Sequence, residues 1–145
     1  MKYYILSKKD FKDYAEDLGQ YMKNDLHLVI EILLEDNNMS YVKNIVKISK
    51  EIVAEGRNNM SLIMIDETGG LGFTASAKVK GMICAQISDE HSSHMTREHN
   101  CATAIALGAN ISSKNQIKLI TKLFVEGNFS AGRHMVRIDM LDRMA

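Results

Sequence analysis

Five short apolar runs alternate with stretches whose apolar side chains recur every three or four residues, and this alternation constrains the fold more than any other feature of the chain. The runs cover residues 3–6, 28–34, 62–65, 82–87 and 103–107. Each is rich in Ile, Val, Leu, Met or Ala and too short for a helix, as expected of strands covered on both faces. Between the first two, Phe11, Tyr14, Ala15, Leu18, Tyr21 and Met22 share one helical face, opposite Lys12, Asp13, Asp17 and Lys23. A second stripe is Val42, Ile45, Val46, Ser49, Ile52 and Val53, ended by Gly56, and a third is Ile117, Ile120, Leu123 and Phe124, ended by Gly127. Residues 91–98 read as a polar helix and residues 131–144 as a last one. Helix starts are expected at a capping box formed by Ser7-Lys8-Lys9-Asp10, at Ser40, and at Ser112 or Ser113.

Strand and helix units of roughly 20 to 30 residues predict a Rossmann-like, doubly wound α/β sandwich: a five-stranded, mainly parallel sheet flanked by helices. With 145 residues, 46% of them hydrophobic, the chain is expected to form one domain over residues 1–145. Lys plus Arg number 18, as do Asp plus Glu, so nothing electrostatic favours nucleic acid or an anionic membrane as partner. No apolar run approaches the ~20 residues of a membrane span, and residues 1–4 lack a signal-peptide core, so a cytoplasmic protein is expected. Cys84 and Cys101 have no paired spacing and read as reduced and buried.

Parallel sheets bind ligands at the carboxyl ends of their strands. That rule puts residues 7–10, 66–72, 88–91 and 108–112 on one rim. Asp66-Glu67-Thr68-Gly69-Gly70-Leu71-Gly72 follows a strand and precedes a helix, where glycines let backbone N–H groups close on an anion. A tight strand-to-helix turn accounts for it equally well, and the lysine ending of a nucleotide loop is missing. Arg133 and Arg137 lie four apart and could bracket a phosphate or carboxylate, or form a solvated pair near Asp139 and Asp142. His91 and His94 have a metal-compatible spacing without an evident third ligand, so no metal is expected. His99 with Asn100 suits sugar chemistry, one shuttling hydroxyl protons and the other reading hydroxyl orientation. The same pair would also serve as a helix C-terminus, with Asn100 as the cap.

The stretches Lys78-Val79-Lys80-Gly81-Met82, Ser88-Asp89-Glu90, Met95-Thr96-Arg97, His99-Asn100, Phe124-Val125-Glu126-Gly127, Gly132-Arg133-His134 and Val136-Arg137-Ile138-Asp139-Met140-Leu141 together resemble the ribose-5-phosphate isomerase type B and galactose-6-phosphate isomerase family. Its nearest branch is the A subunits of the heteromeric members. The likeness is nearly continuous from about residue 62 and rests on element order before that. It implies interconversion of aldose and ketose phosphates through an enediolate, without metal or cofactor; for the heteromeric branch, galactose 6-phosphate becomes tagatose 6-phosphate. It further implies His99 as the ring-opening acid/base, Asn100 as a sugar and enediolate contact, and Arg133 and Arg137 as phosphate ligands, all reaching into a neighbouring subunit.

The departures point the same way. Asp66 stands where the family's cysteine base belongs, as it does in the A subunits. Lys8 and Lys9 replace the first-loop aspartate and histidine, and Gly69-Gly70-Leu71-Gly72 replaces an alternating Gly-x-Gly. The chain's own half-site, comprising Lys8, Lys9, Asp66, Thr68, Gly69 and Gly72, is therefore expected to be degraded, and a homologous cysteine-bearing B subunit is the implied partner in an oligomer. Two alternatives stand beside this one: a homomer of the ribose-5-phosphate isomerase B kind using Asp66 as base, and a noncatalytic subunit that binds sugar phosphate.

Overall fold

The computed structural model describes residues 1–144. All five apolar runs form strands of one sheet: β1 (Lys2–Lys8), β2 (Val29–Glu35), β3 (Met60–Asp66), β4 (Cys84–Gln86) and β5 (Ala104–Gly108). Their order is β2-β1-β3-β5-β4, and every pairing is parallel. The helices are α1 (Lys12–Asn24), α2 (Asn38–Glu55), α3 (Gly70–Ala77), α4 (Glu90–Asn100), α5 (Lys114–Glu126) and α6 (Arg133–Met144). The Rossmann-like sandwich read from the sequence is the one observed.

Strand side chains alternate between the two faces, and the core divides accordingly. Ile5, Ile63, Ile65, Ile105 and Leu107 pack beneath α1 and α5 with Leu18, Met22, Ile117, Ile120 and Phe124. Leu6, Leu62, Met64, Ala104 and Ala106 face α2 and α3 with Tyr41, Ile45, Ile48 and Ile52. Each large side chain fully removed from water contributes roughly 1.5–3 kcal/mol, which is why the central strands read as unbroken apolar runs. Among the described residues no helix is long and apolar enough to cross a membrane.

Several local expectations are corrected. Residues 7–10 form no capping box: Ser7 is held in the sheet between Leu34 and Ile65, and its hydroxyl donates to the Lys8 carbonyl at 2.8 Å. A single 3-10 turn, Lys9–Phe11, leads instead into α1. The cap of α2 is Asn37, whose Oδ1 accepts from the Ser40 N–H at 2.9 Å, so Ser40 already lies inside the helix. The α2 stripe is also rotated, with Tyr41 and Ile48 in the core and Val53 exposed. Strand β4 keeps only three of the six expected residues, because a turn joining the Met82 N–H to the Val79 carbonyl delays its start. Asn100 does not cap α4; it is the last helical residue, and Cys101 caps it in a left-handed conformation at φ 54°. Cys84 and Cys101 are free but only partly buried; burial pushes the Cys84 thiol up to about 12.

The carboxyl-end rim forms as the strand order requires. Asp66 is in register with Gly108, the Ala109 and Asn110 N–H groups donate to the Asp66 and Glu67 carbonyls at 2.8 and 3.0 Å, and Gln86 Nε2 donates to the Thr68 carbonyl at 2.8 Å. Gly108 is where this closeness leaves no space, since a Cβ there would sit 2.7 Å from the Thr68 backbone. Gly108→Ala is therefore expected to destabilise the chain by about 1–3 kcal/mol through overpacking against immovable backbone, measurable by urea unfolding.

Candidate functional site

The glycine loop is built around Asp66, whose side chain is 1% exposed. Its Oδ1 accepts from the Thr68 and Gly69 N–H groups at 3.1 and 2.6 Å. Its Oδ2 accepts from the Gly72 N–H and the Tyr41 hydroxyl, both at 2.9 Å. Four donors converge on the four lone-pair positions a carboxylate offers, so no acceptor capacity is left over. Gly69 takes φ 83° to present its N–H, and a Cβ on Gly72 would come within 3.1 Å of Asp66 Oδ2. Tyr41 is correspondingly held far above its ordinary titration range, by burial first and by the Asp66 carboxylate second.

Beside this hub, Lys8 at the end of β1 pairs with Glu67 at the end of β3. The ammonium holds the Glu67 carboxyl below its usual range. Lys9 turns outward to Asp36 at 3.4 Å in an exposed pair. Of the positions expected to form the chain's own half-site, Lys8, Asp66, Thr68, Gly69 and Gly72 thus gather at the carboxyl rim while Lys9 turns away, and Lys8, Asp66 and the adjoining Glu67 each already have a partner inside the chain.

His99, Asn100, Arg133 and Arg137 gather elsewhere. Helix α4 leaves the carboxyl end of β4 and runs back to the start of β5. Its eleven residues, at about 1.5 Å each, carry the chain roughly 16 Å to the opposite rim. There the Thr103 N–H donates to the Ile83 carbonyl and the Leu62 N–H to the Thr103 carbonyl, both at 3.0 Å, tying the amino ends of β3, β4 and β5. The Ser130 N–H donates to the Glu98 carbonyl at 2.8 Å and brings the start of α6 against the end of α4.

Arg133 and Arg137 project from α6 into solvent, as does Asn100 at the end of α4. Neither arginine makes an ion pair among the described residues; Asp142, which could have neutralised them, pairs with Arg57 at 2.7 Å. His99 is partly buried, with its ring stacked on His134 at 4.3 Å between centroids. His134 is 7% exposed and held below the ordinary histidine value by burial, then by His99, Arg133 and Arg137, with Glu98 opposing. His94 pairs with Glu98 at 2.7 Å, and among the described residues no third ligand joins His91 and His94.

Sequence reasoning missed Tyr41, and treated Glu67 and His134 only as parts of motifs. Tyr41 was visible as the residue four before Ile45 on the α2 stripe. Two clefts lie apart from both clusters: one of about 420 Å³ between residues 77–84 and Leu141 and Asp142, and one of about 560 Å³ between α1 and β2.

Residues 4–141 match the family model described as Ribose/Galactose Isomerase. The chain belongs to this family. It is 37% identical over 140 residues to the galactose-6-phosphate isomerase subunit LacA of Staphylococcus epidermidis, covering 97% of this chain and 96% of that protein. The figures are the same for the subunit LacA 2 of Streptococcus pyogenes serotype M3. Among solved structures, ribose-5-phosphate isomerase B from Mycoplasma genitalium with bound ribulose-5-phosphate superposes with a TM-score of 0.89 at 22% identity, covering 99% and 95% of the two chains. Ribose-5-phosphate isomerase B from Giardia lamblia does so at 0.79 and 30% identity, covering 95% and 96%. The family is thus one of sugar-phosphate isomerases, and the fold is shared along nearly the whole chain.

Asp66→Asn turns one acceptor of the hub into a donor facing other donors and is expected to destabilise the fold by about 1–3 kcal/mol, read by chemical denaturation. His134 binds a proton more readily in the unfolded chain, at an ordinary value of 6.5, than in the folded one. Stability should therefore fall as pH drops below 6.5, and the His134→Phe variant should lose that part of the dependence in thermal melts.

Proposed function

We propose that this chain is a subunit of a cytoplasmic, cofactor-independent galactose-6-phosphate isomerase, and that it lends His99, Asn100, Arg133 and Arg137 to a site completed by a homologous cysteine-bearing B subunit. The observation that carries this reading is the state of Asp66, buried and accepting four hydrogen bonds. A general base needs a free lone pair aimed at the C–H proton, and this carboxylate has none. The same bonds occupy the Thr68, Gly69 and Gly72 N–H groups that would otherwise face an enediolate. That argues against a homomer working through Asp66.

The second cluster supports the lending role. It lies at the far rim, too distant from the glycine loop to join it within one chain. Val136, Met140 and Met144 are 60, 58 and 81% exposed at a four-residue spacing on α6, beside Arg133 and Arg137. An apolar stripe carrying two unpaired guanidinium groups fits a face that docks against another subunit and brings cations to its cleft.

In the proposed reaction the arginine pair grips the 6-phosphate. His99 moves the proton between the ring oxygen and the C1 hydroxyl to open the sugar, and Asn100 holds the sugar oxygens. The partner's thiolate takes the C2 proton to leave the enediolate, the C2 hydroxyl proton passes to O1, and the resulting thiol returns its proton to C1, which completes the aldose-to-ketose shift.

Purified chain is expected to turn over galactose 6-phosphate at least ~10²-fold more slowly than the mixed assembly, the scale of a missing general base. Robust turnover by the chain alone, abolished in Asp66→Asn, would overturn the reading in favour of the homomer. Sugar-phosphate binding by calorimetry, with the mixed assembly no more active than the partner alone, would favour a noncatalytic subunit. In the mixed assembly, Arg137→Ala should raise KM by about ten- to a hundred-fold, matching the loss of a charge-assisted contact of 1.5–3 kcal/mol, with kcat much less affected; unchanged KM removes Arg137 from the phosphate site.

A further inference from the structure

His134 is the buried polar side chain of α6, and the proposed reaction makes no use of it. Its ring lies 4.3 Å from that of His99, with the two planes only 10° apart. Its Nδ1 is buried and has no hydrogen-bond partner among the described residues. With that nitrogen unpartnered, the side chain meets His99 through its ring face alone. Among the described residues no hydrogen bond orients the His99 imidazole either, so the stack is the contact that sets its plane. An acid/base histidine is normally aimed by a hydrogen bond to its second nitrogen. Here a flat neighbour does that work.

The charged and titratable groups facing His134 are Glu98 and His99 from α4, and Arg133 and Arg137 from its own helix. Three of these are cationic or become so, and with burial they keep the ring uncharged near neutrality. A neutral aromatic face tolerates an imidazolium above it. A second imidazolium at the same distance would repel it.

We propose that His134 is a positioning residue for His99: a neutral plate that fixes the plane of the ring-opening imidazole and lets it gain and lose a proton without turning. The proposal rests on the assignment of ring opening to His99. It adds a residue that touches neither substrate nor reacting atoms and acts only through its neighbour.

The test uses the mixed assembly and galactose 6-phosphate, with His134→Ala, His134→Gln and His134→Phe compared. Ala and Gln remove the plate and are expected to lower kcat by about ten- to a hundred-fold, the cost of a misaimed catalytic group, with KM little changed. Phe keeps a flat face and should restore most of kcat. In NMR spectra of the full chain, the ring-current displacement of the His99 Hε1 signal should persist in the Phe variant and vanish in the Ala and Gln variants. Thermal melts identify any variant that fails to fold, and the comparison then rests on the remaining ones. Full kcat in the Ala or Gln variant, or a folded Phe variant as slow as either, overturns the proposal. Full activity in His99→Ala overturns the ring-opening assignment itself, whereas an inactive His99→Ala beside a fully active His134→Ala overturns the plate alone.

Discussion

Five strands pointing the same way give a sheet two unlike rims, and the placement of both polar clusters follows from that direction. Loops that leave strands collect on one rim, where Lys8, Asp66, Glu67 and Gly108 meet. The ends of the returning helices collect on the other, where α4 delivers His99 and α6 begins with Arg133. Loop motion cannot merge the two sets, because α4 is anchored along its length; the Ser93 hydroxyl, for instance, donates to the Ile120 carbonyl of α5 at 2.6 Å inside the core. Any chemistry requiring both rims at once is chemistry between chains.

The two rims also differ in how their charges are satisfied. On the carboxyl rim, Lys8 is paired with Glu67, and the Asp66 lone pairs are satisfied by backbone and tyrosine donors. On the amino rim, Arg133 and Arg137 are left in water while their helix packs through His134 and Ile138. Guanidinium groups are weakly hydrated and fork-shaped, and among the described residues this pair meets no carboxylate and stands beside exposed methionines. One rim is closed electrostatically and the other is open.

The architecture was legible because the central strands are buried on both faces and so betray themselves as apolar runs; β3, whose last six residues are all buried, is the plainest case. Caps were less legible because neighbouring side chains compete for the same role. Asn37 and Ser40 are both good caps, and Ser7 is claimed by strand pairing before it can act as one. The rim carrying the glycine loop was predictable from strand order alone. Its inner chemistry was not, since the fourth ligand of Asp66 comes from Tyr41, twenty-five positions earlier and on another element. The His99–His134 stack escaped for the same reason: the sequence shows motifs, while the stack depends on how α6 lies across the end of α4.

The Asp66 hub bears on how such a subunit can change over time. A thiolate presents a single sulfur, so it could not replace a two-oxygen ligand bound to three amides and a phenol. Exchanging that one side chain for cysteine would strand several donors in a dry interior before any reactivity appeared. The loop glycines, Tyr41 and position 66 are therefore bound into one unit, and a change at position 66 alone costs stability before it brings any reactivity.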